Sequence, residues 1–218
     1  MHSVKIKGSN EKITVGKIVC LGRNYLDHIR ELNNEVPDAP VIFCKPSSSL
    51  LADGGEILIP PYSDDCHHEL ELALLIGRPG KNIAPEEALS HVSGYGVALD
   101  LTLRDVQSKQ KEKGLPWEIA KGFDTSCPLS DFIPADLVND PDNLELRLEV
   151  NGELRQQGNT NMMMRSVATI ISQISGYYSL DAGDIILTGT PAGVNRIVSG
   201  DRLVGTIEQV GSLEVSVA

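Results

Sequence analysis

No apolar run in the sequence approaches the ~20 residues of a membrane-spanning helix. The chain is also short of positive charge: 19 Lys and Arg stand against 30 Asp and Glu, a formal net charge of −11. An electrostatic phosphate binder needs the opposite sign, so neither a membrane nor a nucleic acid is expected as a partner. The four cysteines, Cys20, Cys44, Cys66 and Cys127, are scattered without any C-x-x-C pair. That spacing argues against a cysteine zinc site, and a chain of this length needs no disulfide scaffold. Internal repeats, low-complexity stretches and long linkers are missing. Met1–Gly8 carries no apolar core of the kind a secretory signal needs. The expectation is a soluble, acidic, cytoplasmic protein.

What is present reads as one substantial domain. Hydrophobic residues make up 41% and charged residues 22% of 218, ordinary globular values. Short strand-like runs recur: Ile18–Leu21 ending at Gly22, Val41–Lys45 stopping at Pro46, and Glu56–Ile59 stopping at Pro60. Tyr95–Leu101, Ile185–Thr188, Arg202–Ile207 and Leu213–Val217 read similarly. Leu144–Val150 and Glu153–Gln157 flank Asn151-Gly152, a strong hairpin signal. Asn24 is a candidate cap for a helix over Tyr25–Asn33, and Pro85 opens a short helix. Arg104–Glu112 and Ser166–Tyr178 complete the helical segments. Strands do not alternate regularly with helices, which disfavours Rossmann and TIM architectures. The fold class expected is a β-dominated α+β domain over residues 16–218, with residues 1–15 as an N-terminal extension or edge strand.

The clearest strand, Glu69–Gly77, contains an anomaly. The period of two puts Leu70, Leu72, Leu74 and Ile76 on one face. Glu69 and Glu71 share the other face, which continues as Ala73 and Leu75. Two readings fit: both glutamates face water at a wet strand end, or both are buried and need a cation to neutralise them. Asp100 tilts the balance, because it interrupts the apolar run Val97–Leu103 and a lone buried aspartate is costly. Glu69, Glu71 and Asp100 would make a hard-oxygen site suited to Mg2+ or Mn2+. His67 lies on the same face by alternation, either as a fourth ligand or in a supporting role.

Five ordered motifs carry a resemblance to the fumarylacetoacetate hydrolase family. They are Gly22-Arg23-Asn24-Tyr25-Leu26-Asp27-His28, His67-His68-Glu69-Leu70-Glu71-Leu72, Leu99-Asp100-Leu101-Thr102, Lys121-Gly122-Phe123-Asp124-Thr125 and Leu187-Thr188-Gly189-Thr190-Pro191-Ala192-Gly193-Val194. The chain resembles most closely the short, single-domain members that act on acylpyruvates and oxaloacetate. The resemblance implies a mixed β-sandwich or β-roll core, a homodimer, and one Mg2+ or Mn2+ held by Glu69, Glu71 and Asp100. It places Arg23, Tyr25, Arg104, Gln107 and Thr190 at the substrate, Lys121 among the catalytic residues, and His28 with Glu31 as the water-activating pair of the hydrolytic members. Met162-Met163-Met164 is a candidate dimer contact.

Physical chemistry agrees with those assignments. Positions i and i+3 on a helix are neighbours, and a carboxylate beside an imidazole fixes its tautomer and raises its basicity. A cation from Lys121, Arg23 or Arg104 would offset the charge left by three carboxylates on one divalent ion. The glycines around Thr190 permit close backbone approach, and this turn lacks the P-loop pattern. The reaction expected is hydrolysis of the carbon–carbon bond of a 2,4-dioxo acid, such as acetylpyruvate or fumarylpyruvate, to pyruvate and a carboxylic acid through a metal-stabilised enolate. Oxaloacetate decarboxylation or tautomerisation, or isomerisation of a 2-hydroxymuconate-type diacid, needs the same metal site. A non-enzymatic domain with a structural metal is the reading from a different class.

Overall fold

The computed structural model describes residues 2–218. A small hairpin, β1 (Ser3–Val4) against β2 (Ile13–Thr14), begins the chain, and Ile6 bridges to Phe132. An eight-stranded mixed sheet follows. At its centre β8 (Leu70–Ile76) pairs antiparallel with β9 (Val92–Leu99) and β15 (Ile185–Leu187). Beyond β15 lie β3 (Ile18–Gly22) and the edge strand β4 (Val41–Lys45). Beyond β9 lie β11 (Cys127–Leu129) and β5 (Leu50–Ala52), with β12 (Ile133–Pro134) also pairing β9.

A five-stranded sheet packs beside it in the order β14 (Glu153–Asn159), β13 (Glu145–Val150), β16 (Arg202–Ile207), β17 (Gly211–Val217) and β6 (Glu56–Ile57). The two-residue loop between β13 and β14 is Asn151-Gly152, with φ of 55° and 79°. Both angles are positive, as a type I′ hairpin turn requires. A short ladder of β7 (Cys66–His67) with β10 (Thr102–Leu103) completes the strands.

All seven residues of β8 are buried. Leu70, Leu72, Leu74 and Ile76 enter the main core with Leu146, Leu148, Leu203, Leu213 and Val215 from the five-stranded sheet. Ala73 and Leu75 enter a second cluster with Ile18, Cys20, Ile185 and Phe132. The alternation read from the sequence therefore separates two apolar layers, and the glutamates belong to the second. Strands buried on both faces read as near-continuous apolar runs, as this one does.

The helices are short: α1 (Leu26–Glu31), α2 (Pro85–Ala88), α3 (Arg104–Glu112), α4 (Glu118–Lys121) and α5 (Val167–Tyr177). Ser166 caps α5 by accepting from the Thr169 amide, and Val167, Ile170, Ile171 and Ile174 bury its apolar stripe. Asn24 does not cap α1. Its amide instead donates to the Thr188 carbonyl at 2.9 Å and accepts from the Arg165 amide at 3.0 Å, cross-linking the segments around the cleft. The predicted strand Tyr95–Leu101 starts earlier and ends at Leu99, so Asp100 stands just past it. All four cysteines are free thiols. No helix among the described residues is long and apolar enough to cross a membrane.

Candidate functional site

Strand register assembles the site. Leu70 pairs with Leu99 across β8 and β9, so the next step places Glu69 opposite Asp100, and the Asp100 amide donates to the Glu69 carbonyl at 2.8 Å. Directly opposed residues of an antiparallel pair project to the same face. On the other flank Leu187 pairs with Ala73, which brings Gly189 beside Glu71. The Gly189 amide donates to Glu71 Oε2 at 2.7 Å. Gly189 has φ of +97°, and a Cβ there would sit 2.9 Å from Asn24 Cβ, so the close approach requires glycine.

Glu69, Glu71 and Asp100 are buried, each offering an oxygen within 4.8 Å of the others'. The wet-rim reading of the glutamates is thereby overturned: they are 4% and 2% exposed. Three cations pair with Glu69 and Asp100, and none pairs with Glu71. Arg104 pairs with Glu69 Oε1, and Lys121 Nζ lies 3.0 Å from Glu69 Oε2 and 2.6 Å from Asp100 Oδ2. Lys45 Nζ lies 2.8 Å from Asp100 Oδ1. The single compensating cation expected from the sequence is a set of three.

Lys45 is one residue that sequence reasoning missed. It ends edge strand β4, yet the sheet curls so that its ammonium donates to the carbonyls of Leu101, Lys121 and Ser126. With the Ser126 hydroxyl at 3.2 Å as well, its three protons are fully claimed, and Asp100 Oδ1 lies close to a charge but without a hydrogen bond. The only hint in the sequence was a lysine in phase with Val41 and Phe43 at the end of an apolar strand.

Burial works against ionisation of Glu69, but Lys121 and Arg104 outweigh it and hold its carboxyl well below the usual range. Burial, then Asp100 and Glu69, push the Glu71 carboxyl far up. Lys121 is disfavoured by burial yet raised by Asp100 and Glu69, so it stays an ammonium. Its Nζ also sits 4.9 Å from the Phe43 ring centroid, a cation–π contact. A carboxyl short of counter-charge, an aspartate oxygen without a hydrogen bond and an all-oxygen donor set together fit a hard divalent cation such as Mg2+ or Mn2+.

A cleft opens above the triad, lined by Arg23, His28, Glu69, Glu71, Arg104, Gln107, Lys121 and Thr190 among others. Arg104 Nη1 donates to Gln107 Oε1 at 2.9 Å, one turn along α3. His28 Nδ1 faces Glu31 Oε2 at 3.3 Å. Thr190 Oγ1 accepts from Gln156 Nε2 at 2.8 Å, and Gln156 is fixed in turn by the Leu70 amide and His68. The Thr190 proton is therefore free to be donated into the cleft, an orientation set by a glutamine that no sequence pattern flagged.

Two expectations fare differently. Tyr25 is buried, bridges to Met163 and lines a neighbouring cavity with Leu26, Asp27 and Pro191 rather than the cleft above the triad. Its hydroxyl is pushed up by burial and then by Glu71. His67 is no member of the triad: its Nε2 meets Asp65 Oδ1 at 3.0 Å, and its place is beside the metal site rather than in it.

A β-rich fold with a buried carboxylate triad, three cations beside it and an open cleft defines a site able to hold a divalent cation. The fumarylacetoacetate hydrolase C-terminal profile matches residues 17–218. The bovine mitochondrial oxaloacetate tautomerase FAHD1 is 47% identical over 200 residues, covering 92% of this chain and 90% of its own. The oxaloacetate tautomerase YcgM of Escherichia coli K12 is 49% identical over 195 residues, covering 89% of each. The fumarylpyruvate hydrolase of Pseudomonas aeruginosa, crystallised with Mn2+ and pyruvate, superposes with a TM-score of 0.95 at 38% identity, covering 99% of this chain and 95% of its own. The chain belongs to the fumarylacetoacetate hydrolase family, whose members include these enzymes.

Proposed function

We propose that this protein is a divalent-cation-dependent keto–enol tautomerase of oxaloacetate-class 2-oxo acids, with Mg2+ or Mn2+ held by Glu69, Glu71 and Asp100. The observation that carries the reading is the buried triad under a cleft, with three cations on Glu69 and Asp100 and none on Glu71. The bovine and bacterial relatives named oxaloacetate tautomerases support the choice of reaction. The Mn2+ and pyruvate bound by the Pseudomonas hydrolase support the choice of ion and ligand class.

The ion, when bound, supplies Lewis-acid polarisation of a 2-oxo group. Arg104 and Lys121 keep Glu69 ionised and add positive potential facing the substrate. The Thr190 hydroxyl donates to a substrate carboxylate, and Gln107 holds the Arg104 guanidinium in its plane. His28 turns Nδ1 toward Glu31, so Nε2 is the nitrogen available to move a proton between carbon 3 and the enol oxygen.

The His28–Glu31 pair favours a second reading, hydrolysis of an acylpyruvate such as acetylpyruvate or fumarylpyruvate. His28 would then take a proton from water attacking the 4-carbonyl, and the carbon–carbon bond would break to give pyruvate and a carboxylic acid. For the assembly we propose a homodimer, with the exposed Met162 in the contact; light scattering that gives a monomer mass rejects it.

The deciding experiment follows enol absorbance of fresh oxaloacetate with Mg2+, Mn2+ or a chelator, beside acetylpyruvate and fumarylpyruvate. Chelator-sensitive loss of the enol without carbon dioxide release is the expected result. Turnover of acylpyruvates alone would make hydrolysis the function, and turnover of nothing would leave a structural metal domain.

A further inference from the structure

We propose that Arg23, Asn34 and Lys111 form a seat for a second carboxylate, which makes the cleft selective for dicarboxylic over monocarboxylic 2-oxo acids. The inference rests on the 2-oxo acid reading above and adds the substrate class. Arg23 directly follows the end of β3 and has φ of 58°, a left-handed conformation unfavourable for a residue with a side chain. Its Nη2 donates to Asn34 Oδ1 at 3.1 Å. Lys111, near the end of α3, donates to the same oxygen at 2.9 Å. Two cationic heads thus converge on one neutral amide, in the cleft that also contains Glu69, Glu71, His28 and Thr190.

No carboxylate among the described residues compensates this pair. Partial burial, then Arg23 and Arg104, lower the Lys111 ammonium, as expected where like charges crowd together. With Asn34 Oδ1 occupied by two donors, its Nδ2 remains to donate to an incoming anion. The charge count points the same way. Arg23 and Lys111 bring two positive charges to the cleft that no carboxylate among the described residues pairs with. A dianionic substrate answers that excess better than a monoanion, and a second carboxylate is the group that two converging cations and an amide N–H recognise. Oxaloacetate and fumarylpyruvate carry one; acetylpyruvate does not.

The test uses the Mg2+-loaded full chain and calorimetric titration with malate and with lactate of the same configuration. Both can chelate through a carboxylate and the neighbouring hydroxyl and neither enolises, but only malate has a second carboxylate. Malate is expected to bind about tenfold tighter, a difference of ~1.4 kcal/mol. Lys111→Met, on the exposed side of α3, should lose about tenfold more affinity for malate than for lactate. Asn34→Asp, which places a carboxylate inside the seat, should likewise remove the preference. Equal affinities in the parent protein, or a preference that survives both substitutions, overturns the seat. Failure of both acids to bind while Mg2+ binds normally rejects the 2-oxo acid reading and the seat with it.

Discussion

Glu31 bridges His28 and the turn after β15: Oε2 faces His28 Nδ1 at 3.3 Å, and Oε1 accepts from the Gly193 amide at 3.0 Å. One side chain therefore sets the imidazole and ties α1 to the loop that carries Thr190. On this account His28→Ala lowers turnover about 100-fold or more, the ordinary scale of a positioned acid–base group. Mg2+ affinity and urea stability should change little, since the hydrogen bond of His28 goes to Glu31 and none goes to the triad. Steady-state kinetics beside a metal titration checks both halves.

The same bridge sets α1 beside the cleft, where it is expected to act as a lid that a ligand orders. Amide exchange across residues 26–33 should slow when oxalate and Mg2+ are added, because a ligand against His28 and Arg23 restrains the helix from below. Equal exchange with and without oxalate contradicts this.

Lys45 reaches Asp100 from the far edge of the sheet, and its ammonium ties together Leu101, Lys121 and Ser126. Lys45→Met should destabilise the fold by about 3–5 kcal/mol, the cost of stripping one partner from a buried pair. Urea unfolding measures it. A loss below ~1 kcal/mol would show that Asp100 needs no support from that side.

How far the site was legible from sequence depends on the distance over which each signal acts. Glu69 and Glu71 were visible because alternation is local: two carboxylates fell on a face that continues as Ala73 and Leu75. Asp100 was visible as an interruption, but its position opposite Glu69 is a matter of register between two strands, which composition does not encode. Lys45 and Gln156 were invisible for the same reason, since their partners lie across a curled sheet and in a second sheet. Asn24 misled because its residue type suits a cap, while tertiary hydrogen bonds to Arg165 and Thr188 claimed its amide. Tyr25 was legible only through its place in a motif, and packing sets it in the cavity beside the cleft.

Lys17 offers a pH test away from the cleft. Its ammonium pairs with the buried Asp184 and lies 3.4 Å from Asp181 Oδ2, where β3 and β15 begin. Partial burial opposes the charge, but Asp184 and then Asp181 outweigh it and raise Lys17 above the usual value of 10.5. A lysine raised in the folded state contributes stability that is complete below its unfolded pKa and fades as pH climbs through the folded one. Lys17→Met should therefore cost a constant amount from neutral pH to about pH 10, roughly 2 kcal/mol because Lys17 is partly solvated. The gap should narrow above that pH. Urea midpoints at pH 7, 9 and 11 decide it, and a gap that widens with pH contradicts the assignment.

Everything at the cleft depends on the acidic triad holding a divalent ion. Calorimetric titration of Glu69→Gln with Mg2+ and Mn2+, beside the parent chain, tests that claim most directly. The account predicts at least tenfold weaker binding together with loss of oxaloacetate tautomerisation, in a variant that still unfolds cooperatively. Undiminished metal binding in Glu69→Gln would contradict it.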